Sequence, residues 1–156
     1  MPAQSIVYVD ETGIDRCFHR DKCRAKRGVS VRGGVSGRGY MRTNIVAAQC
    51  RGKVVAPLEY SGTTDHVVFE MWFQGMLLPQ LTEGHTIVMD NASFHRKKVL
   101  CELARQAKCE ILFLPPYSPD LNPIEKEWAN LKAFLCHYAS RFKSIQDAIT
   151  YYFQVE

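Results

Sequence analysis

The chain has no apolar run approaching the length of a membrane span, which excludes helical membrane anchoring. It opens Met1-Pro2-Ala3-Gln4, without the basic stretch and long apolar stretch of a secretory signal, so a cytoplasmic protein is expected. None of its six cysteines forms a Cys-x-x-Cys pair. Cys17, His19 and Cys23 lie close together but match no standard zinc spacing, so the cysteines read as reduced and structural. No repeat and no low-complexity tract is present. What remains is an ordinary globular composition, 46% hydrophobic and 23% charged over 156 residues. Residues 1–156 therefore read as one domain, long enough to bury a real core.

Acid is nearly missing from one window. Residues 16–42 carry Arg16, Arg20, Lys22, Arg24, Lys26, Arg27, Arg32, Arg38 and Arg42 against the single acid Asp21. The window is +8 in a chain of net charge +4, so the remainder is −4. Five glycines are interleaved. A solvated basic loop is the plain explanation; a segment laid along a phosphate backbone fits the one-sidedness better.

Ile6-Val7-Tyr8-Val9 and the flanking residues read as a buried strand over 5–10, followed by a long connection over 11–42. Asn44 to Cys50 and Val54 to Tyr60 read as a hairpin about Arg51-Gly52-Lys53. A helix capped by Thr64 or Asp65 runs to about Leu78, carrying Val68, Phe69, Trp72, Phe73 and Met76 on one face. A strand over His85 to Asp90 follows. Then come a helix capped by Asn91 or Ser93 running to about Lys108, and a fifth strand over Glu110 to Leu114. Pro123 opens a helix bearing Ile124, Trp128, Leu131 and Leu135, and Ser144 opens the last helix. A hairpin followed by βαβ crossovers predicts an α/β fold, a mixed sheet with helices on its faces.

Three acids stand out in that order. Asp10 and Asp90 close predicted strands, and Glu125 falls in the first turn of a helix, with 34 residues between Asp90 and Glu125. Ligands gather at the carboxyl ends of parallel strands. Three carboxylates there could share two divalent cations, an arrangement suited to phosphoryl transfer. Each acid also has a plain structural use. Asp10-Glu11-Thr12 suits a strand exit, Asp90-Asn91 a turn, and an acid at Glu125 suits the helix dipole. Glu127 competes as third ligand but points about 200° around the helix. The prolines around residues 115–123 favour Glu125, because they fix where the helix starts.

The chain resembles the catalytic domain of bacterial insertion-sequence transposases of the mariner-like superfamily, the group with an Asp-Asp-Glu triad. The resemblance rests on Val9-Asp10-Glu11-Thr12-Gly13, on Met89-Asp90-Asn91-Ala92-Ser93-Phe94-His95, and on Leu114 to Glu125 with its Ser-Pro-Asp-Leu-Asn-Pro-Ile-Glu run. Trp128 and Leu131-Lys132 extend it. It implies a ribonuclease-H-like fold, a five-stranded mixed sheet with helices on both faces. It implies that Asp10, Asp90 and Glu125 are catalytic and hold two Mg²⁺ ions, with Mn²⁺ able to substitute. Asp10 would bridge both ions. The implied reaction is metal-dependent cleavage of double-stranded DNA at transposon ends, then joining of the freed 3′-hydroxyl to target DNA. A homodimer at work and a nucleoid setting go with it. Relatives carry an N-terminal helix-turn-helix region that reads the ends. This chain begins almost at the first catalytic strand, so it reads either as a fragment or as the second of two reading frames, the latter with a separate DNA-recognition polypeptide as partner.

Residues expected to meet DNA are Arg20, Lys22, Arg24, Lys26, Arg27, Arg32, Arg38 and His95. For His95, a local structural role is an equal alternative. Tyr117 either stacks on a base or covers the core, and covering is favoured. Two rival readings are a structure-selective nuclease of the same fold and an inactive DNA-binding remnant.

Overall fold

The computed structural model describes residues 6–15 and 42–155. Its elements are strands β1 (Ile6–Asp15), β2 (Arg42–Cys50) and β3 (Lys53–Ser61), helix α1 (His66–Trp72), strand β4 (Thr86–Met89), helix α2 (Lys97–Gln106), strand β5 (Glu110–Phe113), and helices α3 (Ile124–Tyr138) and α4 (Ile145–Val155). The strands form one sheet in the order β3-β2-β1-β4-β5. β1, β2 and β3 are antiparallel neighbours, whereas β4 and β5 run parallel to β1. This is the predicted mixed sheet.

The hairpin turn has the expected cause. Arg51 and Gly52 take φ of 54° and 75°, the left-handed pair that matches the twist of a two-residue connection. Farther along, β3 carries an extra residue opposite Ala47, with Ala56 at φ 53° and Pro57 unable to donate. The Ala56 carbonyl is taken instead by Trp72 Nε1 at 2.6 Å, which ties α1 to the sheet.

Each face of the sheet has its own core. Val7, Val9, Val46, Ala48, Ile87 and Met89 pack under Phe69, Trp72, Phe73, Leu77, Leu100 and Ala104 from the side of α1 and α2. Ile14, Ile45 and Ala47 pack under Ile124, Trp128, Leu131 and Leu135 of α3 and Ala148, Ile149 and Tyr152 of α4. Among the described residues, no helix is long and apolar enough to cross a membrane.

Three boundaries differ from expectation, each for a physical reason. β1 does not stop at Asp10 but runs to Asp15, because β2 pairs with it along the whole length to Asp15↔Arg42. α1 ends at Trp72, and the chain continues as a wider turn over Phe73–Leu77 and a tighter one over Leu78–Gln80. α2 starts at Lys97, not at a cap on Asn91 or Ser93. Asp90 Oδ1 accepts from Ala92 N–H at 3.3 Å and Ala92 C=O from His95 N–H at 3.1 Å, so a local turn occupies the backbone there. Two predicted caps are found. Asp65 accepts from Val68 N–H at 2.9 Å, and Ser144 Oγ from Asp147 N–H at 3.1 Å.

Candidate active site

The site grows from a mismatch in strand pairing. β1 pairs with β4 only from Ile6↔Thr86 to Tyr8↔Val88, while its pairing with β2 continues. Past Tyr8, one edge of β1 is therefore released and a cleft opens beside it. Asn122 Nδ2 donates to the freed Val9 carbonyl at 3.2 Å and clips the proline-rich loop to β1 one residue before Asp10. The same loop delivers Glu125 at the start of α3. From the other side, β4 ends at Met89 and delivers Asp90. Leu114 N–H donates to Met89 C=O at 2.8 Å, which closes the sheet at that point. Asp10, Asp90 and Glu125 thus line one cleft of about 400 Å³, with Pro115, Pro116 and Tyr117 on its rim.

Strand alternation sends neighbouring acids to opposite faces. Asp10 shares a face with Ile14 and turns toward α3, where its Oδ2 accepts from Trp128 Nε1 at 3.0 Å. Burial, together with the charges of Glu11 and Glu125, pushes the Asp10 carboxyl up to about 8, and hydrogen bonds from the Glu11 backbone N–H and from Trp128 only partly offset this. Glu11 shares a face with Val9 and turns toward α1 and α2. Its Oε1 lies 3.4 Å from His95 Nε2. Burial raises the Glu11 carboxyl as well, with the His95 hydrogen bond and charge pulling it back.

His95 is held by packing. Its ring centroid sits 4.3 Å from that of Phe69 and 4.5 Å from that of Phe94. Its Nδ1 lies 3.3 Å from the Asp90 carbonyl and 3.5 Å from Asp90 Oδ1. One ligand atom each from Glu11, Asp90 and His95 lies within 4.8 Å of the others. The expected DNA contact through His95 does not fit this placement. The side chain is 1% exposed, and both ring nitrogens face carboxyl and carbonyl oxygens. Glu11 is the site residue that sequence reasoning passed over. The available signal was its place next to Asp10 in an alternating strand.

Two further expectations are settled by position. Glu127 is buried on the far side of α3 and accepts from Tyr152 Oη at 2.5 Å, so it faces α4 and not the cleft. Tyr117 does not cover the core; it is 100% exposed, with φ at 59°. That left-handed backbone costs a non-glycine residue on the order of 1 kcal/mol, and proline at 116 and 119 frames it. Arg20, Lys22, Arg24, Lys26, Arg27, Arg32 and Arg38 lie outside the described residues, as do Cys17, His19 and Cys23. The four described cysteines, Cys50, Cys101, Cys109 and Cys136, are free.

The donors on the cleft suit a hard divalent cation. Among the described residues that line it, the charged ones are carboxylates, with no thiol, and Asp10 is held beside other carboxylates. The family model described as DDE superfamily endonuclease matches residues 5–149. The chain belongs to that superfamily. No curated protein matches it. Among solved structures, a pre-cleavage Mos1 transpososome superposes with a TM-score of 0.71 at 18% identity, covering 99% of this chain and 49% of that one. The catalytic domain of Mos1 mariner transposase gives 0.61 at 16% identity, covering 99% of this chain and 72% of that one. The catalytic core domain of BIV integrase gives 0.54 at 13% identity, covering 94% and 79%. The likeness is one of fold, ribonuclease-H-like in each case. The chain spans about half the length of the transposase in the Mos1 transpososome.

Proposed function

We propose that this DDE-superfamily chain is the catalytic domain of a DNA transposase, with Asp10, Asp90 and Glu125 as its catalytic carboxylates. The carrying observation is that these three side chains, from two strands and a helix start, line one cleft. The overall likeness to a transpososome favours this reading over a structure-selective nuclease.

The reaction is in-line displacement at a phosphodiester. A water oxygen, and in the joining step a 3′-hydroxyl oxygen, attacks phosphorus and sheds its proton as the opposite P–O bond breaks. Two divalent cations, Mg²⁺ or Mn²⁺, when held between Asp10 and its partners Asp90 and Glu125, would favour ionisation of the attacking oxygen and neutralise the departing one. Asp10 would hold the ions together with Asp90 and Glu125. Trp128 fixes one Asp10 oxygen by its hydrogen bond, and the Asn122 clip fixes the strand beneath it. His95, whose other ring nitrogen faces Glu11, holds Asp90.

The substrate is double-stranded DNA, first at transposon ends and then at the target. The basic residues Arg20 to Arg38 supply nonspecific backbone contacts. A homodimer handles two ends, and the protein works at the nucleoid.

The test is an assay with Mn²⁺ and plasmid DNA, scoring both nicking and joining of a pre-cut 3′-end. Wild type should do both, and Glu125→Gln neither. Nicking without joining would favour the nuclease. Nicking unchanged in Glu125→Gln would refute the assignment of the site. Arg20→Ala with Arg24→Ala and Arg27→Ala should lower the salt dependence of DNA binding, by about 0.9 in slope for each phosphate no longer neutralised. An unchanged slope removes that segment from the interface.

A further inference from the structure

Tyr117 has no part in the chemistry above, yet it stands on the rim of the same cleft as Asp10, Asp90 and Glu125. It is the most exposed large apolar side chain among the described residues, at 100% against 70% for the next, Met71. Its backbone sits at φ 59°, a region that tyrosine rarely adopts. The loop around it, Pro115-Pro116-Tyr117-Ser118-Pro119, is stiffened by three prolines and carries no charge. A flexible loop would let the ring fold back onto apolar surface. This loop holds it out in water beside the reacting position.

We propose that Tyr117 is a stacking platform for a nucleobase displaced from the duplex next to the phosphodiester being cut. The inference rests on the DNA-cleavage reading above and adds a base subsite to it. A phosphodiester that reaches Asp10 enters a cleft between β1, β4 and the start of α3, so it leaves the regular backbone path. The nucleotide beside it then loses a stacking neighbour, a cost met wherever enzymes work on extruded nucleotides. An aromatic face offered at that spot replaces the absent neighbour, and it accepts any base because every base has a π-face. The ring is already in place, so little ordering is needed on binding. The lack of charge in the loop fits a contact made to a base and not to a phosphate.

The experiment first maps where wild type cuts a defined duplex in Mn²⁺. An abasic site is then placed on either side of the strongest cut, and wild type, Tyr117→Phe and Tyr117→Ala are compared on each DNA. On intact DNA, Tyr117→Ala should cut about 10-fold more slowly, and Tyr117→Phe at close to the wild-type rate. With the abasic site on the stacking side, wild type should slow by a similar factor and Tyr117→Ala should lose nothing more. The proposal is overturned if Tyr117→Ala cuts at the wild-type rate. It is equally overturned if Tyr117→Phe falls as far as Tyr117→Ala, or if the two losses multiply on both sides of the cut. Tyr117 is fully exposed, so all three proteins should melt together. Failure of the underlying reading looks different: wild type cuts nothing, or Glu125→Gln cuts as well as wild type, and the base subsite then falls with it.

Discussion

Asp10 and Glu11 are adjacent acids on one strand, and the two faces of the sheet treat them differently. Asp10 accepts from the Glu11 backbone N–H and, on the α3 side, from Trp128 Nε1, yet burial and the charges of Glu11 and Glu125 push its carboxyl up to about 8. On the α1–α2 side, Glu11 meets His95, whose ring is fixed by Phe69 and Phe94 and whose other nitrogen faces Asp90. Among the described residues, the Asp10 side brings in the like charge of Glu125, whereas on the other side the ring of His95 lies between Glu11 and Asp90 and contacts both. Acids that raise one another in this way gain most from a cation.

The largest expected effect separates the halves by activity. Asp10→Asn, Asp90→Asn and Glu125→Gln should each lower Mn²⁺-dependent DNA cleavage by roughly 10³-fold or more, the scale for losing a group that acts on transition-state charge. Glu11→Gln, which acts through His95, should cost only about 10- to 100-fold. Equal losses from Asp10→Asn and Glu11→Gln would break the contrast and make Glu11 a ligand.

The next effect is on stability. His95→Ala leaves a hole between Phe69 and Phe94 and strips Glu11 of its partner, so it should cost about 3 kcal/mol. Urea unfolding checks this by a lower midpoint at unchanged slope. A loss below about 1 kcal/mol would mean that the ring is not a structural support.

Much of this was legible in the sequence, and the gaps have physical causes. Hydrophobic alternation, the turn at Arg51-Gly52 and the helical faces of Trp72 and Trp128 gave the element order, because these signals are local. The three cleft acids were legible from their places beside the strands and helix. Glu11 was not, because its role depends on His95, which is 84 residues away in sequence and reaches it only once β1 and β4 pair. The fate of Tyr117 was also hidden. Apolar character suggests burial, and only the backbone of a loop framed by prolines decides otherwise. The length of β1 was missed because its partner, β2, lies beyond the long basic connection.

A smaller effect has a sign that depends on pH. The Asp10 carboxyl is raised from 3.8 to about 8 in the folded protein. Near pH 3 and below it is mostly protonated, folded or unfolded, and has little net effect. As pH rises toward 8 the unfolded chain releases that proton and the folded chain keeps it, so the metal-free protein loses stability. Asn at this position cannot ionise. Asp10→Asn should therefore be more stable than wild type at pH 8 by on the order of 2 kcal/mol, and equal to it near pH 3. Thermal melts in chelator at the two pH values check this, and saturating Mn²⁺ should erase the difference by stabilising wild type alone.

The smallest effect tests how Trp128 serves Asp10. Trp128→Phe keeps the ring that packs beneath the strand and removes the Nε1–H donor, at a cost of about 1 kcal/mol. That donor favours the ionised carboxylate, so without it Asp10 holds its proton to still higher pH. Metal must displace that proton to bind. Mn²⁺ affinity in Trp128→Phe should then trail wild type by several-fold near pH 7. The gap should narrow as pH rises past 8 and both proteins ionise. A gap that stays constant with pH would mean that Trp128 fixes where the carboxylate points, with no share in its charge balance. In that case the α3 half of the site would be ordered by geometry, as the His95 half is, and the contrast between the two faces would rest on Glu125 alone.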